Sequence, residues 1–377
     1  MGAVLAMLSA PAAAQSIDVW LGTSNNKASQ GIYHTQLNLE TGRLSESQLA
    51  AEIRGPGFLA MHPGGKKLYA VGTLEGTPVV AAYSISNQRS KSTLELSSSV
   101  PIDDGGAAHV SVAPGAKSLL TAQYGAGSTG VFELDSNGDV VARRQLIKHE
   151  GGSGVVERRQ DSPHAHWTGF SPDGRFAFVP DLGIDGVVIY KYDADSGKIA
   201  KHGIATTPPG SGPRHMKFHT SGRWVYVLNE LDLSISVFEY DVENGTMKIK
   251  QTIPTVSKSE LAKEQFKSCS EIRVHPTGRF VYAANRGHDT ITAFKVDAET
   301  GELSVIEVEN ARAVTPRNFN LTPDGRWALV GGQDSHTLSS FSVDQETGEL
   351  SYNRSVISTP SPICVLMQPE DNLIRLR

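Results

Sequence analysis

The sequence predicts an all-β fold: a seven-bladed β-propeller of four-stranded antiparallel blades, the last blade closed by both chain ends. Three observations predict it: a hairpin recurring about every fifty residues, a second hairpin alternating with it, and a split copy at the two ends of the repeat array. The first hairpin reads MHPGGKKLYAVG from Met61, VAPGAKSLLTAQY from Val112, FSPDGRFAFVPDL from Phe170, FHTSGRWVYVLNE from Phe218, VHPTGRFVYAANR from Val274 and LTPDGRWALVGGQ from Leu321. Its turn residues, Gly65, Ala116, Gly174, Gly222, Gly278 and Gly325, lie 47 to 58 positions apart. Turn formers flanked by aromatic and β-branched residues mark strand–turn–strand units, and a period near fifty holds four strands.

The second hairpin reads LNLETGRLS from Leu37, FELDSNGDVV from Phe132, KYDADSGKIA from Lys191, EYDVENGTMKI from Glu239, KVDAETGELS from Lys295 and SVDQETGELS from Ser342. A worn copy, AYSISNQRSKST from Ala82, makes seven. The first hairpin has only six whole copies, because SPICVLMQ from Ser361 begins a seventh whose return strand is IDVWLGTSN from Ile17. A ring closed in this way has no open sheet edge to protect. An open solenoid would need polar capping repeats, and none is read here. One propeller domain is therefore expected over residues 16–377.

Met1–Gln15, MGAVLAMLSAPAAAQ, is apolar, small and uncharged, and Ala12–Ala14 resembles the small-residue end of a secretory signal. Its basic start is missing, so the alternatives are a mis-set start codon or a disordered tail. The expectation is a periplasmic or secreted protein, with a cytoplasmic one as the alternative. No other apolar run approaches the roughly 20 residues that span a bilayer. Lys and Arg number 35 against 40 Asp and Glu, a formal net charge of −5. That balance argues against nucleic-acid and membrane-surface partners, and a monomer is favoured. The two cysteines, Cys269 and Cys364, read as buried strand residues rather than a disulfide framework.

The start of a blade's innermost strand and the end of its antiparallel neighbour share one face of the ring. Eight residues before each turn stand Gly57, Ala108, His166, Arg214, Ser270 and Arg317; the next positions are Phe58, His109, Trp167, His215, Glu271 and Asn318. Eight residues after it stand Thr73, Tyr124, Leu182, Glu230, Arg286 and Gln333. Any single Arg or His at such a place often just satisfies a neighbouring carbonyl. Here His164, His166, Arg214, His215, Glu230, Arg273, Arg286 and Arg317 crowd into the third to sixth repeats, beside Asn318 and Gln333. Arginine clusters suit carboxylate or phosphate through bidentate hydrogen bonds.

Two long connections lead into the same face. Lys148–Pro163, KHEGGSGVVERRQDSP, reads as a mobile loop and lacks the Gly-Lys-Ser/Thr ending of a phosphate loop. SKSELAKEQFKS from Ser257 opens with a capping-box pattern at Ser257 and Glu260 and predicts a short helix. His164 and His166 on one side of a strand, with Glu230 or His215 as a third ligand, would suit a metal, but no second tight ligand motif joins them and no metal or cofactor is expected. There is no Gly-x-Ser-x-Gly elbow for a serine nucleophile. What remains is proton transfer by a His or Glu beside arginines that stabilise an oxyanion, and hydrolysis of a sugar lactone fits it, with water activated by Glu230 or a His.

The stretches PHAHWTGFSPDGRFAFVPDLG, GPRHMKFHTSGRWVYVLNEL, EIRVHPTGRFVYAANRG and TPRNFNLTPDGRWALVGGQ resemble the propeller-type lactonases, a family that includes bacterial 6-phosphogluconolactonases and fungal 3-carboxy-cis,cis-muconate lactonizing enzymes. The resemblance covers nearly the whole chain after residue 17 and implies a metal-independent site at one end of the ring. It implies a catalytic His, Glu and arginines, which fall on His164 or His166, with His166 preferred by its repeat position, and on Arg214, Glu230 and Arg273. His164, His215, Arg286, Arg317, Asn318 and Gln333 are then expected to bind substrate. The departures are the first two repeats, which lack cationic pairs, and the export signal, which sits badly with an intracellular phosphorylated lactone. The competing readings are a muconate-type cycloisomerase and a non-catalytic binding propeller.

Overall fold

The computed structural model describes residues 15–88, 91–263 and 265–367. The export-signal stretch lies outside the described residues. Seven four-stranded antiparallel sheets follow one another around a ring. The innermost strands of the first six blades are Arg54–Met61, His109–Val112, Gly169–Phe170, Pro213–Phe218, Ser268–Val274 and Pro316–Leu321. In the seventh sheet Pro362–Met367 pairs with Ser16–Thr23, followed by Gly31–Asn38 and Gln48–Glu52. The mixed closure expected from the split hairpin is thus present, with Leu21 opposite Val365 and Gly22 opposite Cys364.

Each blade is buried on both faces, so the middle strands read as nearly continuous apolar runs: Trp224–Asn229 and Phe280–Arg286 are buried at every position. Burial is organised between blades rather than within them. One cluster joins Tyr226, Leu228 and Val237 of the fourth blade to Ile272, Val281 and Phe294 of the fifth. Another joins Trp20 and Ile32 of the seventh to Leu59 and Tyr83 of the first, sealing the ring. No blade covers its own apolar faces, which is why the repeats stabilise one another only as a closed set.

The glycine of the second hairpin serves this packing. Gly301 and Gly348 have φ of 73° and 80°, in the left-handed region, and a Cβ there would lie 2.4 Å from Trp224 and 2.5 Å from Phe280 of the preceding blade. Close by, Tyr226 and Tyr282 donate to the carbonyls of Gly301 and Gly348 at 3.1 and 2.8 Å. The repeated Asp-x-x-x-Gly pattern is therefore both a turn and a socket for the neighbour's aromatic rings.

The predicted helix is Lys258–Leu261, capped by Ser257, whose Oγ donates to Glu260 Oε2 at 2.7 Å and accepts from Glu260 N. Both cysteines are buried and free, and burial pushes each thiol up to about 12, which leaves them unreactive. The 149–163 connection differs from a bare mobile loop. Its Gln160 is fully buried and donates to Leu182 O and Asp185 Oδ1 at 2.9 and 2.6 Å, pinning the segment to the third blade.

Candidate active site

Where the innermost strands begin, their pairing with the second strand slips. Pro213 faces Asn229 but His215 faces Leu228, and Pro316 faces Gly332 but Asn318 faces Gly331. The first and fifth blades slip at the same level. Two inner-strand residues then oppose one, and the bulge turns consecutive side chains toward the channel instead of alternating them. This is how Arg214 and His215, or Arg317 and Asn318, both reach one space.

That space is a cavity of about 180 Å³ lined by Gly57, Phe58, Ala107, Ala108, His166, Arg214, His215, Arg317, Asn318 and Ile363. Five of the predicted residues thus meet: His166, Arg214, His215, Arg317 and Asn318. Glu230 and Arg286 are tied to this wall from the second strands. The Glu230 carboxylate is 2.9 Å from Arg214 Nε, 3.3 Å from Arg286 Nη2 and 2.6 Å from Arg159 Nη2. Burial opposes its charge, but Arg286, Arg214 and Arg159 outweigh burial and hold Glu230 down at about 2. A carboxylate so held is a weak proton acceptor, and its geometry suits it to fixing the arginines.

Arg317 has no hydrogen-bond or ion-pair partner among the described residues. Burial first, then Arg286, brings its guanidinium down to about 10; burial, then Arg286 and Arg317, brings Arg214 to about 9. Both remain cations at neutral pH, and Arg286 raises the energy of each. Four arginines, 159, 214, 286 and 317, outnumber the two buried carboxylates, Glu230 and Glu271, so the site carries surplus positive charge that an anion would relieve.

Two imidazoles complete the wall. The His166 ring makes no hydrogen bond to any described residue, its Nδ1 being buried and without a partner, while its backbone N–H donates to Pro180 O at 3.0 Å. Burial first, then Arg214, holds it well below the ordinary histidine value, so it is neutral at pH 7. His215, 5.2 Å from it ring to ring, is neutral for the same leading reason. His215 Nδ1 lies 3.1 Å from Glu271 Oε1, which fixes the donor on Nδ1 and leaves the buried Nε2 as an unpartnered acceptor. Glu271, fully buried, also accepts from Ile272 N at 3.0 Å and from Asn318 Nδ2.

Three predicted residues stand elsewhere. His164 is on the rim, stacked on Tyr124 and bonded through Nδ1 to Tyr124 O at 2.9 Å. Gln333 is half-buried and donates to Asp334 at 3.2 Å, off the cavity. Arg273, two residues beyond Glu271, lines a separate cavity farther along the channel and donates to Phe319 O at 3.1 Å. Its register, three positions past the rim, turns it toward the opposite mouth. Among the described residues no group of three His, Cys, Asp or Glu side chains is placed to share a metal ion. Sequence reasoning passed over Arg159, which reaches Glu230 from a long connection with no repeat register, and Glu271, whose register was visible but whose role needs His215 beside it.

A cationic cavity holding neutral imidazoles at one end of a propeller channel is the constitution of a hydrolytic enzyme site for a small, charged or charge-developing substrate. Residues 18–367 match the model of the family described as "Lactonase, 7-bladed beta-propeller", and the chain belongs to that family. A 6-phosphogluconolactonase of Bacillus subtilis is 33% identical over 346 residues, covering 92% of this chain and 97% of its own. The structure of a Pseudomonas aeruginosa periplasmic gluconolactonase superposes with a TM-score of 0.86 at 26% identity, covering 94% of this chain and 99% of its own. A Lactobacillus plantarum protein gives a TM-score of 0.87 at 26% identity, over 94% and 100% of the two chains.

Proposed function

We propose that the protein is a hydrolase that opens a sugar lactone of the aldonolactone class in the cavity of His166, Arg214, His215 and Arg317. The observation that carries this reading is the surplus of guanidinium over carboxylate beside neutral imidazoles. Hydrolysis develops negative charge twice, on the carbonyl oxygen in the transition state and on the product carboxylate, and preorganised cations favour both. Water attacks the lactone carbonyl carbon while neutral His166 accepts its proton. The oxyanion faces Arg214 and Arg317. Collapse breaks the bond to the ring oxygen, which recovers the proton as a hydroxyl, and the aldonate leaves with release of one proton. Glu230 holds Arg214 in place, and Glu271 fixes the tautomer of His215.

Family kinship supports the reaction class, through a relative named for 6-phosphogluconolactone and another named for gluconolactone. The apolar Met1–Gln15 and the periplasmic name of the Pseudomonas relative support export. Among the described residues no helix is long and apolar enough to cross a membrane.

The test is a pH-stat assay of 6-phosphogluconolactone against glucono-1,5-lactone, corrected for spontaneous opening. Ring opening of either, with one proton released per turnover, is the expected result. A kcat/KM advantage for the phosphorylated lactone that vanishes in Arg317→Gln would assign that free guanidinium to the phosphate. An equal rate on both would assign it to the oxyanion and the product carboxylate. No opening of either by folded protein would overturn the reading.

A further inference from the structure

The channel has a second chamber. Beyond the ring of Phe58, His109, Trp167 and His215, a cavity of about 560 Å³ runs to Pro63 and Pro114, in the turns at the opposite face. Those rings pack together between the two chambers: Phe58 and His109 lie 3.9 Å apart, His109 and Trp167 5.3 Å, and His109 and His215 5.7 Å. The first chamber is lined where the innermost strands begin, and the second reaches the turns at their other ends.

The charged side chains lining the second chamber are both cations. Arg273 shares its charge with Glu271, at 3.4 Å. Lys217 has no hydrogen-bond or ion-pair partner among the described residues, and its Nζ rests 4.8 Å from the centre of the Trp167 ring. Burial, then Arg273, presses the ammonium down to about 7, so an anion beside it would restore its full charge. The remaining walls are largely apolar, with Met61, Phe170, Phe218 and Leu366 among them. Lysine and arginine on the innermost strands of neighbouring blades suit one carboxylate, and the apolar walls suit a body without hydroxyls, because buried sugar hydroxyls there would lose their water partners.

We propose that this rear chamber is a second binding site, for a small organic monocarboxylate with an apolar or aromatic body, held by Lys217 and Arg273. The site is independent of lactone hydrolysis, and its occupant enters from the face opposite the catalytic mouth.

The experiment is calorimetric titration of the full chain with benzoate, with uncharged benzamide as the control. Benzoate is expected to bind and benzamide not to. Lys217→Met is expected to weaken benzoate by roughly 10-fold or more, the loss of one charge-assisted hydrogen bond, whereas Arg317→Gln at the front mouth leaves it unchanged. In wild-type protein the affinity also falls as pH rises from 6 to 9, as Lys217 loses its proton, which tests the site without any variant. Binding lost in Arg317→Gln but kept in Lys217→Met would place benzoate at the catalytic mouth and overturn the proposal. So would equal binding of benzamide, or no binding at millimolar benzoate.

Discussion

Blades three to six and blades one, two and seven meet at the same channel mouth with opposite chemistry. The first group contributes His166, Arg214, His215, Arg317 and Asn318; the second contributes Gly57, Phe58, Ala107, Ala108 and Ile363. The blades are copies of one repeat, so the difference lies in the side chains at the strand starts and in where the backbone register slips. One half supplies charge and proton transfer, and the other supplies room. A ring built on interblade packing can hold this asymmetry, because the apolar clusters lie between the sheets and the mouth residues carry little of that burial.

The largest effect should come from the reactive half. His166→Ala is expected to lower kcat by roughly 10²- to 10⁴-fold, the usual yield of a positioned base, with the circular dichroism spectrum unchanged. An intact rate would move the base to His215 and redraw the division of the mouth. Glu230→Gln should act next, on stability: it leaves Arg159, Arg214 and Arg286 without their shared carboxylate, at a cost of about 3–5 kcal/mol in urea unfolding at pH 7. Glu230 is held at about 2 in the fold against an ordinary 4.5, so its stabilisation is complete above pH 4.5 and lost as pH falls toward 2. The gap between wild type and Glu230→Gln should therefore close across that window. A constant gap would mean that packing, not charge, sets the cost.

Arg317→Gln removes a cation with no protein partner, so the fold should be unaffected while KM for an anionic lactone rises roughly 10- to 100-fold. The acid limb of kcat/KM should lie below pH 6.5, because a base must be neutral to work and burial holds His166 below its ordinary value. A limb at or above pH 6.5 would exclude His166. The smallest effect belongs to the spacious half. A Cβ at Gly57 meets nothing nearer than 3.8 Å, so Gly57→Ala should stay within about twofold of wild type in rate and stability.

Much of this was legible beforehand. The ring, its four-stranded blades, the blade shared between the chain ends and the capped helix at Ser257 all rest on local turn chemistry and on a repeat that needs no coordinates to count. The sequence also placed Arg214, Arg286 and Arg317 on one face, since antiparallel strands bring those registers together whatever the details.

Which of those residues share a cavity was decided in three dimensions. The register slips at Pro213/His215 and Pro316/Asn318 set consecutive side chains side by side; a proline stands at each, but the slip in the fifth blade, between Cys269 and Ile272, has none. Arg273 shows the converse: two residues beyond Glu271, it opens on the rear chamber. Arg159 crosses from an unrepeated connection to Glu230, and Glu271 gains its partner His215 from the neighbouring blade. Local chemistry fixes where strands turn, because a turn is settled within a few residues. The charge state and company of a buried side chain depend on what other blades bring within about 4 Å, and only the closed ring determines that.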